Sequence, residues 1–126
     1  MSQTGYTSSY FPPAPILDGA FVAQPQGNRS NSVAGFADTG ADASIVPLYL
    51  LKQIGARYVT KKRVRSYFGE ARAVRTYLVD VVIDGITLPA LEVVGDDVEE
   101  TLIGRDVLNR LRLLLDGPRQ KIEIRP

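Results

Sequence analysis

The sequence predicts an all-β fold, and three features carry that prediction. Apolar and polar residues alternate through residues 72–83, so that Tyr77, Val79, Val81 and Ile83 share one face, opposite Leu78, Asp80, Val82 and Asp84. Asp84-Gly85 is a two-residue hairpin signal that joins this run to a second one over residues 86–94. Gly, Pro, Asn and Asp punctuate the rest of the chain between short apolar runs, for roughly seven or eight short strands and two short helices. A closed, mostly antiparallel β-barrel suits that count, although composition alone does not separate it from other all-β folds.

The chain has 126 residues, 44% of them apolar, enough for one core but not for two. It has no cysteine and no histidine. Disulfides, thiol nucleophiles, Ser-His-Asp and Cys-His arrangements and most zinc sites are therefore excluded, leaving acid–base chemistry to carboxylates, lysines, tyrosines and water. A formal charge of +1 calls for neither nucleic acid nor an anionic membrane surface. No run of 18 apolar residues occurs, and the start of the chain is polar rather than basic and then apolar. The expected location is cytoplasmic.

Residues 1–15 end in Phe11-Pro12-Pro13-Ala14-Pro15. This stretch reads as an extended proline-rich arm that forms neither a helix nor an inner strand, with Tyr10 and Phe11 free to pack on the domain or on a partner. The domain proper is expected over residues 16–126, with its first strand at 16–23 and a polar turn at 24–32. Pro47 at a first-turn position, helical spacing of apolar residues and a terminal Gly55 predict a short helix. Residues 56–65 return to β character, and their basic cluster of Lys61, Lys62, Arg63 and Arg65 reads as a solvated strand face. Residues 64–83 read as a long hairpin turning through Phe68, Gly69, Glu70 and Ala71. Pro89 makes the strand at 86–94 peripheral or bulged. The acidic loop at 95–100 fits no calcium-loop spacing, so no metal is expected. Asp106 is placed to cap a short helix at 107–111, residues 116–119 to form a turn, and residues 121–124 to form a closing strand.

The chemistry points to residues 35–47. Within them an apolar approach, Phe36-Ala37, ends on Asp38-Thr39-Gly40, followed by Ala41, Asp42 and the aliphatic pair Ile45-Val46. A strand end followed by a glycine-permitted reversal would hold one carboxylate rigidly in a partly dry place. A second block, Leu102-Ile103-Gly104-Arg105-Asp106-Val107-Leu108-Asn109, is an apolar-apolar-Gly segment running into a short helix about sixty residues later. Together these blocks resemble the two signatures of the retropepsins, the single-domain aspartic proteases of retroviruses and their cellular and bacterial relatives. The resemblance spans roughly residues 16–125.

That resemblance implies a closed, mostly antiparallel retropepsin-like (acid protease) β-barrel with one or two short helices and a flap hairpin. It implies an aspartic endopeptidase with peptide or protein substrates and no cofactor. Two carboxylates about 3 Å apart cannot both ionise, so a pair of them shares one proton and activates a water. Only Asp38 sits in such a motif, so the second carboxylate would come from another copy, making the enzyme a homodimer. By the same resemblance Asp38, Thr39 and Gly40 are the catalytic residues, with Thr39 bonding its symmetry mate and the Gly40 amide holding an oxygen of Asp38. Ala41 and Leu102 would line the cleft, Asp42 would touch the substrate main chain, Phe68, Gly69, Glu70 and Ala71 would cover the peptide, and Asp42 would form a buried or half-buried ion pair with Arg105. The hairpin tip carries only Gly69, where viral members carry several glycines. A non-catalytic dimeric peptide- or protein-binding module on the same fold is the alternative.

Overall fold

The computed structural model describes residues 2–65 and 69–125. Ten strands and two short helices are formed among them. They follow one another as β1 (Ser2–Thr7), β2 (Ala14–Ala23), β3 (Val33–Ala37), β4 (Ile45–Pro47), α1 (Leu48–Ile54), β5 (Arg57–Arg65), β6 (Ala71–Ile83), β7 (Ile86–Asp96), β8 (Thr101–Ile103), α2 (Arg105–Leu108), β9 (Arg112–Asp116) and β10 (Lys121–Arg125).

Strand order runs β5-β6-β7-β4-β8-β3-β2-β1-β10-β9, and an additional β2–β6 pairing turns the middle of the sheet back on itself as a ring. Two of the pairings are parallel, β3 with β8 and β4 with β7, and the others are antiparallel. The ring closes around Leu17, Phe21, Val46, Leu51, Val79, Val81, Ile83, Val93, Ile103 and Val107, all almost wholly removed from solvent. Tyr77, Val79, Val81 and Ile83 point inward, as alternation predicts, while Leu78, Asp80 and Val82 are only half-buried.

Local chemistry accounts for the joints. Asp84 and Gly85 both take positive φ, 52° and 73°, the pair of values a tight hairpin needs. Helix α1 is capped by Pro47, the last residue of β4 and so one position before the first turn, and by Gly55, whose φ of 71° lets the Ala56 amide reach back to the Leu51 carbonyl at 2.9 Å. The strand carrying Pro89 is bulged and not peripheral, for β7 lies between β6 and β4. Val79 faces Leu91 and Val81 faces Leu88, so Pro89 and Ala90 together oppose Asp80. The Asp80 carboxylate accepts from the Ala90 amide at 2.9 Å, giving the bulged backbone a partner that the ladder does not supply.

Three expectations change. Residues 2–7 are not a free arm: they form β1, which lies between β2 and β10 and pairs Ser2 with Ile124 and Tyr6 with Pro15. The prolines all follow this strand, so its donors stay available, and the Thr4 hydroxyl adds a bond to the Ile16 carbonyl at 2.6 Å. Strand β9 (Arg112–Asp116) was not anticipated, nor were elements as short as β4 and β8, which neighbouring strands stabilise more than their own pattern does. Helix α2 begins at Arg105 with Gly104 as its cap residue, two positions before the expected start at 107, which frees Asp106 for another role.

Candidate active site

The loop that follows β3 is fixed from one side by β8. Gly35, Phe36 and Ala37 run parallel to Thr101, Leu102 and Ile103, and the Asp38 amide continues the ladder by donating to the Ile103 carbonyl at 2.9 Å. Gly35 and Ile103 face the core, and a side chain at Gly35 would meet Ile103 Cγ1 at 2.7 Å. Phe36, Leu102 and Ile45, which are register partners across β3, β8 and β4, therefore face outward, and Asp38 follows on the same side two residues beyond Phe36. The residue types set this orientation: small or aliphatic side chains turn inward, and a half-buried carboxylate emerges at the strand end.

Within the loop, the Gly40 amide donates to Asp38 Oδ1 at 2.8 Å and the Ala41 amide to the Asp38 carbonyl at 3.3 Å. Thr39 is exposed, and among the described residues its hydroxyl meets no hydrogen-bond partner. Arg105 clasps the loop from the second block. Its Nη1 donates to the Thr39 carbonyl at 2.7 Å, its Nη2 pairs with the Asp42 carboxylate, and its amide donates to the Ala41 carbonyl at 2.9 Å. The Asp42–Arg105 pair thus forms, but it is not buried: the side chains are 89% and 42% exposed. Asp42 stands out on its loop and Arg105 opens helix α2 at the surface, where solvent screens the pair.

The buried fastening is one the sequence did not announce. Ser44, fully removed from solvent, donates its hydroxyl to Asp106 Oδ1 at 2.8 Å and its amide to Asp106 Oδ2 at 3.0 Å. The same hydroxyl accepts the Gly104 amide at 3.0 Å, and the Ser44 carbonyl accepts the Val94 amide at 2.9 Å. Gly104 has no room for a side chain, because a Cβ there would lie 2.8 Å from the Ala43 carbonyl carbon and 2.9 Å from the Ala41 oxygen. A serine in a polar loop reads as a turn residue, and only the tertiary register of β3, β4 and β8 reveals its four bonds.

Two concavities border the outward row and share Ile45. One, of about 300 Å³, lies between Gly40, Ala41, Asp42 and Ala43 and the β5–β6 hairpin residues Val64, Arg72 and Val74. The Arg72 guanidinium, paired with Asp96, forms part of its wall. The other, of about 430 Å³, is floored by Phe36, Ile45 and Leu102 and rimmed by Val98, Glu99 and Glu100. Of the expected hairpin-tip residues, Gly69, Glu70 and Ala71 are exposed and line neither hollow, whereas Phe68 lies outside the described residues. Phe36, Ile45, Val64, Arg72, Val74, Glu99 and Glu100 join the candidate site without having been singled out as site residues in the sequence. Phe36 and Ile45 carried a signal there, as the apolar positions flanking Asp38.

Behind the hairpin, Lys62 Nζ meets Glu92 Oε2 at 2.8 Å, tying β5 to β7 across β6. Hydrogen bonding to Lys62 and then to Thr76, with the Lys62 charge, holds the Glu92 carboxyl below its ordinary value against a smaller opposing effect of burial. Among the described residues no group of three or more acidic side chains is placed to hold a metal ion, and no helix is long and apolar enough to cross a membrane.

Comparison with known proteins agrees with this architecture. The structure is similar to a retropepsin-like aspartic protease from Rickettsia conorii, with a TM-score of 0.68 at 14% identity, covering 98% of this chain and 88% of the other. It is similar to EIAV protease complexed with the inhibitor HBY-793, with a TM-score of 0.62 at 16% identity over 85% and 93% of the two chains. The protease of simian foamy virus (mac) gives 0.53 at 16% identity over 75% and 91%. No curated protein matches the sequence. The family model described as "gag-polyprotein putative aspartyl protease" matches residues 27–110, from the turn before β3 to beyond α2. With both signature blocks inside that match, the chain belongs to the gag-polyprotein aspartyl protease family and has the retropepsin-like fold.

Proposed function

We propose that the protein is an aspartic endopeptidase that works as a homodimer, with one Asp38 from each subunit. The observation that carries this reading is the placement of Asp38: half-buried, held through Oδ1 by the Gly40 amide, and set between Phe36, which lines the larger hollow, and Gly40 and Ala41, which line the smaller one. One chain supplies a single carboxylate of this kind. The exposed Thr39 hydroxyl beside it fits a contact across a two-fold axis, where the two copies would bond each other.

In the assembled site the two carboxylates share one proton. The ionised member takes a proton from a bound water as its oxygen attacks the scissile carbonyl, and the protonated member gives its proton to the carbonyl oxygen. The carboxyl that took the water's proton then gives it to the leaving nitrogen, a diol hydroxyl returns its proton to the other carboxylate as the C–N bond breaks, and the shared-proton state is restored with no covalent intermediate and no cofactor. Arg105 and Ser44 serve this step indirectly, by holding the loop on which Asp38 rides. The substrate would be a peptide or protein segment in extended form, passing under the β5–β6 hairpin along the row of Phe36, Leu102 and Ile45.

The experiment is cleavage of a mixed peptide library by the purified protein, with and without an aspartic-protease transition-state analogue, beside Asp38→Asn. The amide keeps the shape of the side chain and removes its ionisable group. Cleavage by the wild type, its suppression by the analogue and its loss in a still-dimeric Asp38→Asn are the expected results. Wild-type cleavage rates in Asp38→Asn, or no cleavage by the wild type from acidic to neutral pH, would overturn the assignment.

A further inference from the structure

The larger concavity combines two chemistries. Its floor is apolar, made by Phe36, Ile45 and Leu102, while Glu99 and Glu100 stand at its rim. Phe36 lies two residues before Asp38 on one face of the chain, so the floor begins about 7 Å from the reacting carboxylate at the rise of a β-strand. A side chain entering here is therefore carried by a substrate residue close to the bond being cut. A residue after β1 touches two of the residues that line this hollow. The Tyr10 ring meets Phe36 edge-on with centroids 4.8 Å apart, and its hydroxyl donates to the Glu100 carboxylate. That bond restrains Glu100 beside the hollow instead of leaving it free in solvent.

We propose that this hollow selects a lysine or arginine side chain of the substrate, and that Glu100, steadied by Tyr10, is the residue that sets the selection. Both side chains have an apolar stem that suits the Phe36, Ile45 and Leu102 floor and a cationic head that reaches outward to a carboxylate at the rim. A purely aliphatic side chain satisfies the floor alone, and an acidic one meets like charge. Glu99 adds to the negative field at the same mouth. The inference rests on the proposed peptide-cleaving site but names its preferred substrate class, which the Asp38 chemistry leaves open.

The test uses peptides identical except for lysine, norleucine or glutamate at the residues flanking the cleaved bond, so that norleucine keeps the lysine stem without its charge and glutamate reverses the charge. The full chain should cleave the lysine peptide with a kcat/KM roughly fivefold above the norleucine one, the upper range for an ion pair reached by solvent. Glu100→Gln should bring that ratio close to one, Glu100→Lys should favour the glutamate peptide, and Tyr10→Phe should lower the ratio in part. Binding of the same peptides to Asp38→Asn, which cannot turn them over, supplies a readout that does not depend on catalysis. Discrimination in binding without cleavage by the wild type would refute the protease reading and retain this one. A lysine-to-norleucine ratio near one in the wild type, or one that persists in Glu100→Gln and Glu100→Lys, would overturn it.

Discussion

Ser44 and Asp106, 62 positions apart in sequence, are joined by two hydrogen bonds of 2.8 and 3.0 Å, and this contact binds the Asp38 loop to helix α2 beneath the solvent-exposed surface. Because the Ser44 hydroxyl also accepts the Gly104 amide, Ser44→Ala strands that buried donor and takes one hydrogen bond from the half-buried Asp106 carboxylate, whose Oδ1 keeps the Val107 amide. The expected loss is about 1–3 kcal/mol, the usual penalty for an unmet buried polar group. Urea unfolding of Ser44→Ala against wild type measures it, and an unchanged midpoint would refute the role given to this serine.

Arg105 divides stability from activity. Its pairing with Asp42 is exposed on both sides, so Arg105→Lys should change unfolding free energy by less than about 1 kcal/mol. A lysine cannot fork onto the Asp42 carboxylate and the Thr39 carbonyl together. Loosening the Asp38 loop should therefore lower kcat/KM roughly ten- to a hundredfold, the order expected when a reacting group is misplaced by an ångström. Equal losses of stability and activity would show that Arg105 is merely structural.

The Lys62–Glu92 bridge predicts a small acid sensitivity. The Glu92 carboxyl is held below its ordinary value, so its stabilising contribution is fully present above the unfolded group's value of 4.5 and is lost as pH falls through the lower folded one. With the side chains 54% and 32% exposed, the contribution stays under about 1 kcal/mol. Unfolding measured from about pH 6 down to about pH 3 should fall less steeply in Glu92→Gln than in the wild type. Parallel curves would remove the bridge from the account.

Dimerisation predicts a concentration dependence. If each subunit gives one Asp38, activity per chain should drop once the protein is diluted below its dimer dissociation constant. Sedimentation and peptide turnover over one dilution series check this, and full activity in a proven monomer would contradict it.

What the sequence conveyed was local. The alternation that put Val79, Val81 and Ile83 inside, the turn at Asp84-Gly85 and the αL stop at Gly55 each depend on neighbours along the chain, and each appears as expected. Pro89 signalled a bulge, but its strand is interior because β4 covers its other edge, a matter of tertiary pairing. The placement of β1 beside β10 depends on residues more than a hundred positions away, which no periodicity encodes. For the site, the contact between Asp42 and Arg105 was inferred and its exposure was not, since burial depends on how far a loop stands out from the ring. Ser44 carried no distinguishing pattern at all.

The missing space at Gly104 sets a different kind of tolerance from that at Asp42. Backbone atoms crowd the first position, so every replacement must displace main chain, whereas Asp42 stands in solvent and its replacement gives up only the exposed pairing with Arg105. In a saturation library sorted for folded protein, position 104 should be nearly bare and position 42 fully populated. Sorting the same library for peptide cleavage would then deplete position 42 alone of the two, and the difference between the sorts would mark, residue by residue, where architecture ends and chemistry begins.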